Sequence, residues 1–233
     1  MTFRTMRLPL LVAAVTLASA PAVAQDGTAV DVSVETIISR LQDAAGPRRA
    51  PVRLYYRASS CEGLDRPDAM VFRPIAPLTI PMRPLQPRES VAASIRDMFG
   101  ETNRVQVTED RGGLVRVTID DPPAALLQSP VSLRLTIEER YNGNLAVIAL
   151  ETSRDFRAAR ERLGMQQPVI VGSWLFTMSR SGPALPRRFR NVTADAFLDQ
   201  VARAFHKLIV YSVCPDGRTY FIDETTTDPR VRA

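Results

Sequence analysis

Apolar residues recur at helical intervals in several stretches of this chain. Val34, Ile37, Ile38, Leu41 and Ala45 line one face of a predicted helix, with Ser33 placed as its cap and Gly46 as its stop. Val91, Ile95, Met98 and Phe99 predict a second helix over 89–99. Phe197, Leu198, Val201, Ala204 and Phe205 predict a third, opened by Thr193, with Val192 and Phe197 spaced for a hydrophobic staple. Between them, Leu145, Ile148, Thr152, Phe156, Ala159 and Leu163 follow steps of three and four up to Gly164. That pattern predicts one long amphipathic helix whose outer face carries Arg154, Arg157, Arg160, Glu161 and Arg162. Thr136 and Glu139 have the spacing of a capping box.

Other stretches alternate with period two. Val52, Leu54 and Tyr56 read as a strand running toward Cys61, and Met70 to Ile75 as a second extended piece. Pro74, Pro77, Pro81, Pro84 and Pro87 then forbid helix and central strand alike. The interleaved Ile75, Leu78, Ile80 and Met82 are too apolar for a free linker, so this is expected to be a packed edge segment. Val105 and Val107 enter, and Leu114, Val115, Val117 and Ile119 leave, a turn containing Gly112 and Gly113, which is a hairpin signal. Leu208 to Tyr211, the turn Pro215-Asp216-Gly217, and Thr219 to Ile222 form a second hairpin. Pro168 to Met178 reads as a buried strand with Trp174 in the core.

A helix followed by a hairpin therefore occurs twice. Sliding one unit onto the other pairs Ile95 with Leu198, Met98 with Val201, Val107 with Val210, and Ile119-Asp120 with Ile222-Asp223. The expected fold is α+β: two βαββ-like units with short, mostly antiparallel sheets, helices packed on them, and the long amphipathic helix between. The first half is placed at 25–128, the second at 129–226, and a flexible tail at 227–233.

The first 24 residues have a different character. Arg4 and Arg7 precede an apolar run from Leu8 to Ala20, and Ala22-Val23-Ala24 offers the small-x-small pattern of a signal peptidase site. The run is short for a membrane span, which needs roughly 20 apolar residues. The expectation is a secretory signal peptide, a mature chain from Gln25, and a periplasmic location without a transmembrane segment. Losing two arginines reduces the formal charge of +5 to +3, a small surplus. Apart from Lys207 every strong base is arginine, a bias that a GC-rich genome accounts for. Nucleic acid is not expected as a partner.

Export changes the reading of Cys61 and Cys214. In an oxidising compartment two cysteines favour the one possible intramolecular disulfide over two buried thiols. Such a bridge would fasten the early chain to the late chain.

The catalytic inventory is thin. His206 is the single histidine, at the corner between a helix and a strand, where a structural role is expected. With two distant cysteines it gives no zinc spacing, and no cofactor motif is present. Asp120-Asp121, Glu138-Glu139 and Asp223-Glu224 are adjacent pairs, and neighbours on a strand point to opposite faces. No catalytic, metal or cofactor-binding residue is assigned.

The segment Leu185-Pro186-Arg187-Arg188-Phe189-Arg190-Asn191-Val192-Thr193-Ala194-Asp195-Ala196-Phe197-Leu198, with the hairpin that follows, resembles the small periplasmic N-terminal modules of secretins and TonB-dependent receptors. Pro77 to Asp121 matches more loosely, with Pro87-Arg88-Glu89-Ser90 in place of Asn-Val-Thr. The resemblance implies docking on envelope proteins without cofactors; a secretin, a receptor or a pilus component is the kind of partner implied. The chain lacks the glycine- and aromatic-rich barrel region of either parent, so a free-standing, non-catalytic adaptor is expected, with its contact surface on strand edges. Two alternatives stay open: a binding protein with an apolar cavity near Trp174, and a hydrolase of envelope polymers using carboxylates that the fold brings together.

Overall fold

The computed structural model describes residues 29–61, 70–71, 76–167, 169–170 and 183–227. The expected signal peptide, Gln25, Ile75, Trp174 with most of its strand, and the tail after Thr227 lie outside the described residues. The first half contains β1 (Val30–Ser33), α1 (Val34–Ala45), β2 (Val52–Arg57), β3 (Met70–Val71), β4 (Thr79–Met82), α2 (Val91–Phe99), β5 (Val105–Glu109) and β6 (Val115–Ile119). The second contains β7 (Pro130–Arg134), α3 (Ile137–Tyr141), α4 (Gly143–Thr152), α5 (Arg154–Arg162), β8 (Val169–Ile170), β9 (Arg188–Thr193), α6 (Ala194–Phe205), β10 (Lys207–Val213) and β11 (Tyr220–Thr226). The class is α+β, as the periodicities require. Among the described residues no helix is long and apolar enough to cross a membrane.

The two hairpins join one sheet in the order β11-β10-β2-β6-β5. Its three inner strands run parallel, and each outer strand is antiparallel to its neighbour. Helices cover both faces. Val52, Leu54 and Tyr56 of β2, Val115, Val117 and Ile119 of β6, and Leu208 and Val210 of β10 meet α1 and α2 in one core. Tyr55, Ile209, Tyr211 and Val213 point the other way, into a second core with α4, α5 and α6. Alternation along a strand buried on both faces thus feeds two cores at once.

The helix–hairpin units are both present, but their placement differs. In the first unit the second hairpin strand, β6, lies beside β2; in the second unit the first strand, β10, does. Their helices, α2 and α6, pack on opposite faces of the sheet. The strands leading into them pair elsewhere, β4 with β1 and β9 with β7, each in a two-stranded ribbon. Within the proline-rich stretch, Leu78, Ile80 and Met82 are buried, as a packed edge requires.

One element departs from expectation. The single long helix is two, α4 and α5, broken at Ser153. Ser153 takes extended backbone angles and its hydroxyl accepts from the Phe156 N–H, so it caps a new helix instead of continuing the old one. The apolar spacing runs across the break because both helices pack Leu150, Phe156 and Ala159 into the same core.

Cys61 and Cys214 form a disulfide, with Cα atoms 5.7 Å apart and a sequence separation of 153. The parallel pairing of β2 with β10 delivers them there: the Ala58 N–H donates to the Val213 carbonyl just before the bridge.

Candidate functional site

The outer side of β5 ends the sheet. At its two ends the Asp120 N–H donates to the Arg104 carbonyl and the Asp110 N–H to the Leu114 carbonyl. In an antiparallel ladder bonded and non-bonded pairs alternate, so Gln106 and Thr108 also turn their N–H and C=O groups toward β6. The N–H and C=O groups of Val105, Val107 and Glu109 therefore face outward. A row of free main-chain groups at a sheet edge is a template for another strand.

Beside this edge lies a groove of about 630 Å³ between β5 and α2. Ser90 opens α2, its hydroxyl accepting from the Ala93 N–H, and Gly100 closes it at φ +65°, a left-handed value that glycine reaches without strain. The turn at Gly100 sends the chain back along the helix into β5. Val105 and Val107 lie half-buried against the first core on the groove side. Phe99 is buried in the groove wall. The rim is charged but balanced: Arg83, Arg88 and Arg96 against Glu89, Asp97 and Glu101. Arg88 and Asp97 form an ion pair at 3.0 Å. Arg96 reaches across, its Nε donating to the outward carbonyl of Val107 at 3.3 Å. Just before β5, Arg104 grips Asp120 through two nitrogens, and that hydrogen-bonded pairing holds the Asp120 carboxyl below its usual range.

The opposite edge is covered at both ends. At one end of β11 the Gln166 backbone donates to the Arg218 carbonyl and accepts from Tyr220 N–H. At the other, the Gln42 amide donates to Thr225 Oγ1 and the Thr226 carbonyl. Of the outer strands of the two hairpins, that of the first is thus the one without such end contacts; the proline-rich stretch, the third expected place, pairs through β4 with β1 alone among the described strands.

The pattern of the sequence did not single out a charged cluster on the second face. Arg53 is fully buried, and its guanidinium donates to Asp199 at 2.9 Å and Asp195 at 3.1 Å. The Tyr55 hydroxyl also donates to Asp195, at 2.8 Å. Arg116 bonds Asp199, and Arg203 bonds Asp110, extending the chain of charges to the β5–β6 turn. Burial raises the Asp199 carboxyl against the pull of Arg53, whereas Asp110 is lowered: its burial is outweighed by N–H donors from Leu114 and Gly112 and by Arg203 and Arg116. Three arginines meet three aspartates, with Asp195, Asp199 and Arg203 at four-residue steps along α6. That spacing was the available signal. The arrangement fixes α6 to the sheet; its carboxylates are spent on arginines, not aimed at a cleft.

The remaining expected residues fall into structural roles. His206 ends α6 at φ 49°, its Nδ1 lies 2.7 Å from the Arg49 carbonyl, and its own carbonyl accepts from Thr227. Glu139 closes the capping box with Thr136. Glu224 pairs with Lys207 at 2.8 Å, and the Asp223 carboxylate accepts from the Glu224 N–H. Among the described residues no three His, Cys, Asp or Glu side chains are grouped to hold a metal ion. Comparison of the chain with family models, with curated proteins and with solved structures gives no match.

Proposed function

We propose that this chain is an exported, non-catalytic adaptor of the bacterial envelope that captures an extended segment of a partner protein as a sixth strand on β5. The observation that carries the reading is the open outer ladder of Val105, Val107 and Glu109 beside the α2 groove. In strand addition the main-chain bonds supply affinity and pockets for alternate side chains supply selectivity. A partner strand here would lay alternate residues over Val105, Val107 and Phe99, and set its charges against a rim of both signs. Arg96 shields the Val107 carbonyl until the partner replaces it. The Cys61–Cys214 bridge and the apolar leader support export, and the resemblance to secretin and receptor modules supports a periplasmic partner of that kind.

The test is photo-crosslinking in the native envelope from a reactive residue at Gln106, followed by identification of what is captured. One discrete envelope protein is expected, and capture falls at least about tenfold with Val107→Lys, an edge charge that opposes strand addition. Equal capture by a Val107→Lys protein that retains its circular dichroism spectrum contradicts the proposal.

A further inference from the structure

The ribbon formed by β7 and β9 presents two unlike faces. Val131, Leu133 and Phe189 point into the second core. The outward positions carry Arg134 on β7 and Arg188 and Arg190 on β9, with Arg187 exposed just before them. Arg134 and Arg188 are direct partners in the register, and like charges placed opposite one another destabilise a pair of strands. Among the described residues none of these four side chains has an ion pair or hydrogen bond.

The nearby acids are already committed. Asp155 accepts from the Ser132 N–H at 2.9 Å, and Glu139 from the Thr136 N–H. The Asp155 contact sets the start of α5, with its exposed Arg154 and Arg157, beside β7. A chain whose formal surplus is only +5 thus places four exposed arginines on one ribbon.

We propose that this face docks on a membrane surface through anionic phospholipid headgroups. Guanidinium forks match phosphate oxygens bidentately, and a headgroup layer offers many phosphates across a flat surface. An acidic protein is the weaker fit, because protein interfaces are organised around buried apolar or aromatic anchors. The outward positions between these arginines are Pro130, Ser132 and Asn191. Among the described residues the one large apolar side chain exposed nearby is Ile137, three residues beyond Arg134. A single isoleucine is too little for an interface core, but it suits shallow insertion beside headgroups. The ribbon is distinct from β5, so the adaptor could hold its partner while resting on the membrane.

The test is co-sedimentation of the protein, as its own cell processes it, with phosphatidylcholine vesicles with and without about one-third phosphatidylglycerol. Binding is expected only with the anionic lipid, and it should weaken as salt rises. Arg188→Glu with Arg190→Glu should lower the partition by about tenfold or more, and Arg134→Gln with Arg187→Gln by less, while both variants keep their circular dichroism spectrum. Val107→Lys should leave vesicle binding unchanged, which separates this proposal from the β5 reading. Equal binding by the wild type and the charge-reversed variant overturns it, as does no binding at low salt. Binding to soluble polyglutamate as tight as to vesicles, lost in the same variants, reassigns the face to an acidic protein.

Discussion

Glu151 on α4 is half-buried, and its carboxylate sits among protein groups. Its carboxylate accepts from the Gln167 amide at 2.7 Å, and Gln167 in turn accepts from the Tyr220 hydroxyl at 3.3 Å. Burial pushes the carboxyl up to about 7 from its ordinary 4.5; the Gln167 bond and Arg160 pull it down and Asp223 raises it further. A carboxyl whose folded value is raised keeps its proton in the folded chain after the unfolded chain has lost it. Its contribution to stability is complete below about 4.5 and is lost as the pH rises to about 7. The shift corresponds to about 3 kcal/mol. Glu151→Gln should therefore raise stability at pH 8 and flatten the pH dependence between 5 and 8, measured by urea unfolding. A variant with the same slope as the wild type would remove Glu151 from this role. Arg53 is wholly buried, and its two terminal nitrogens donate to Asp195, Asp199 and the Asp195 carbonyl, while its Nε has no hydrogen-bond partner among the described residues.

At the scale of elements, the sequence pattern and the structure agree where one face of an element is apolar. The helices α1, α2 and α6 lie where their buried faces, Ile37 and Leu41, Ile95 and Met98, Leu198 and Val201, had placed them. Local chemistry also carries the caps at Thr136 and Thr193, whereas Ser33 stands at the start of α1 without a side-chain cap bond. The break at Ser153 was hidden because spacing reports which side chains are buried, not whether the axis is continuous. In β2, alternation marked Val52, Leu54 and Tyr56 as one buried face, yet Arg53 and Tyr55 are buried too. A charged residue reads as solvent-facing unless its partner is known, and Asp195 lies 142 residues away. The parallel pairing of β2 with β10 and β6 was illegible for the same reason: parallel partners are set by the packing of distant elements and leave no turn between them. The open state of β5 and the closed state of β11 could not be told apart from hairpin patterns alone, because Gln42 and Gln166 close β11 from elsewhere in the chain.

The molecule as a whole is closed by long-range connections. Strand β2, from the first half, lies between β10 and β6, so the two halves share one sheet. The Cys61–Cys214 bridge fixes this crossing close to the C-terminal ends of β2 and β10. A loop of that length corresponds to about 4–5 kcal/mol in the chain-entropy account, and removed bridges more often cost about 2–5. Cys61→Ser with Cys214→Ser should lower the melting temperature by roughly 5–15 °C without changing the far-ultraviolet spectrum. An unchanged melting temperature would mean the sheet holds the crossing without the bridge. The two edges of the sheet then differ in availability: β11 is held at both ends, β5 lies beside a groove with Arg96 on its Val107 carbonyl, and a cationic ribbon lies on the second face. Amide exchange of β5, followed by NMR in the free protein and in its crosslinked complex, tests the central claim most directly. The account predicts that Val105, Val107 and Glu109 exchange rapidly in the free protein and are protected in the complex, while Gln106 and Thr108 are protected in both. Protection that appears on β11 instead, or on the β5 amides of the free protein as its concentration rises, would contradict it.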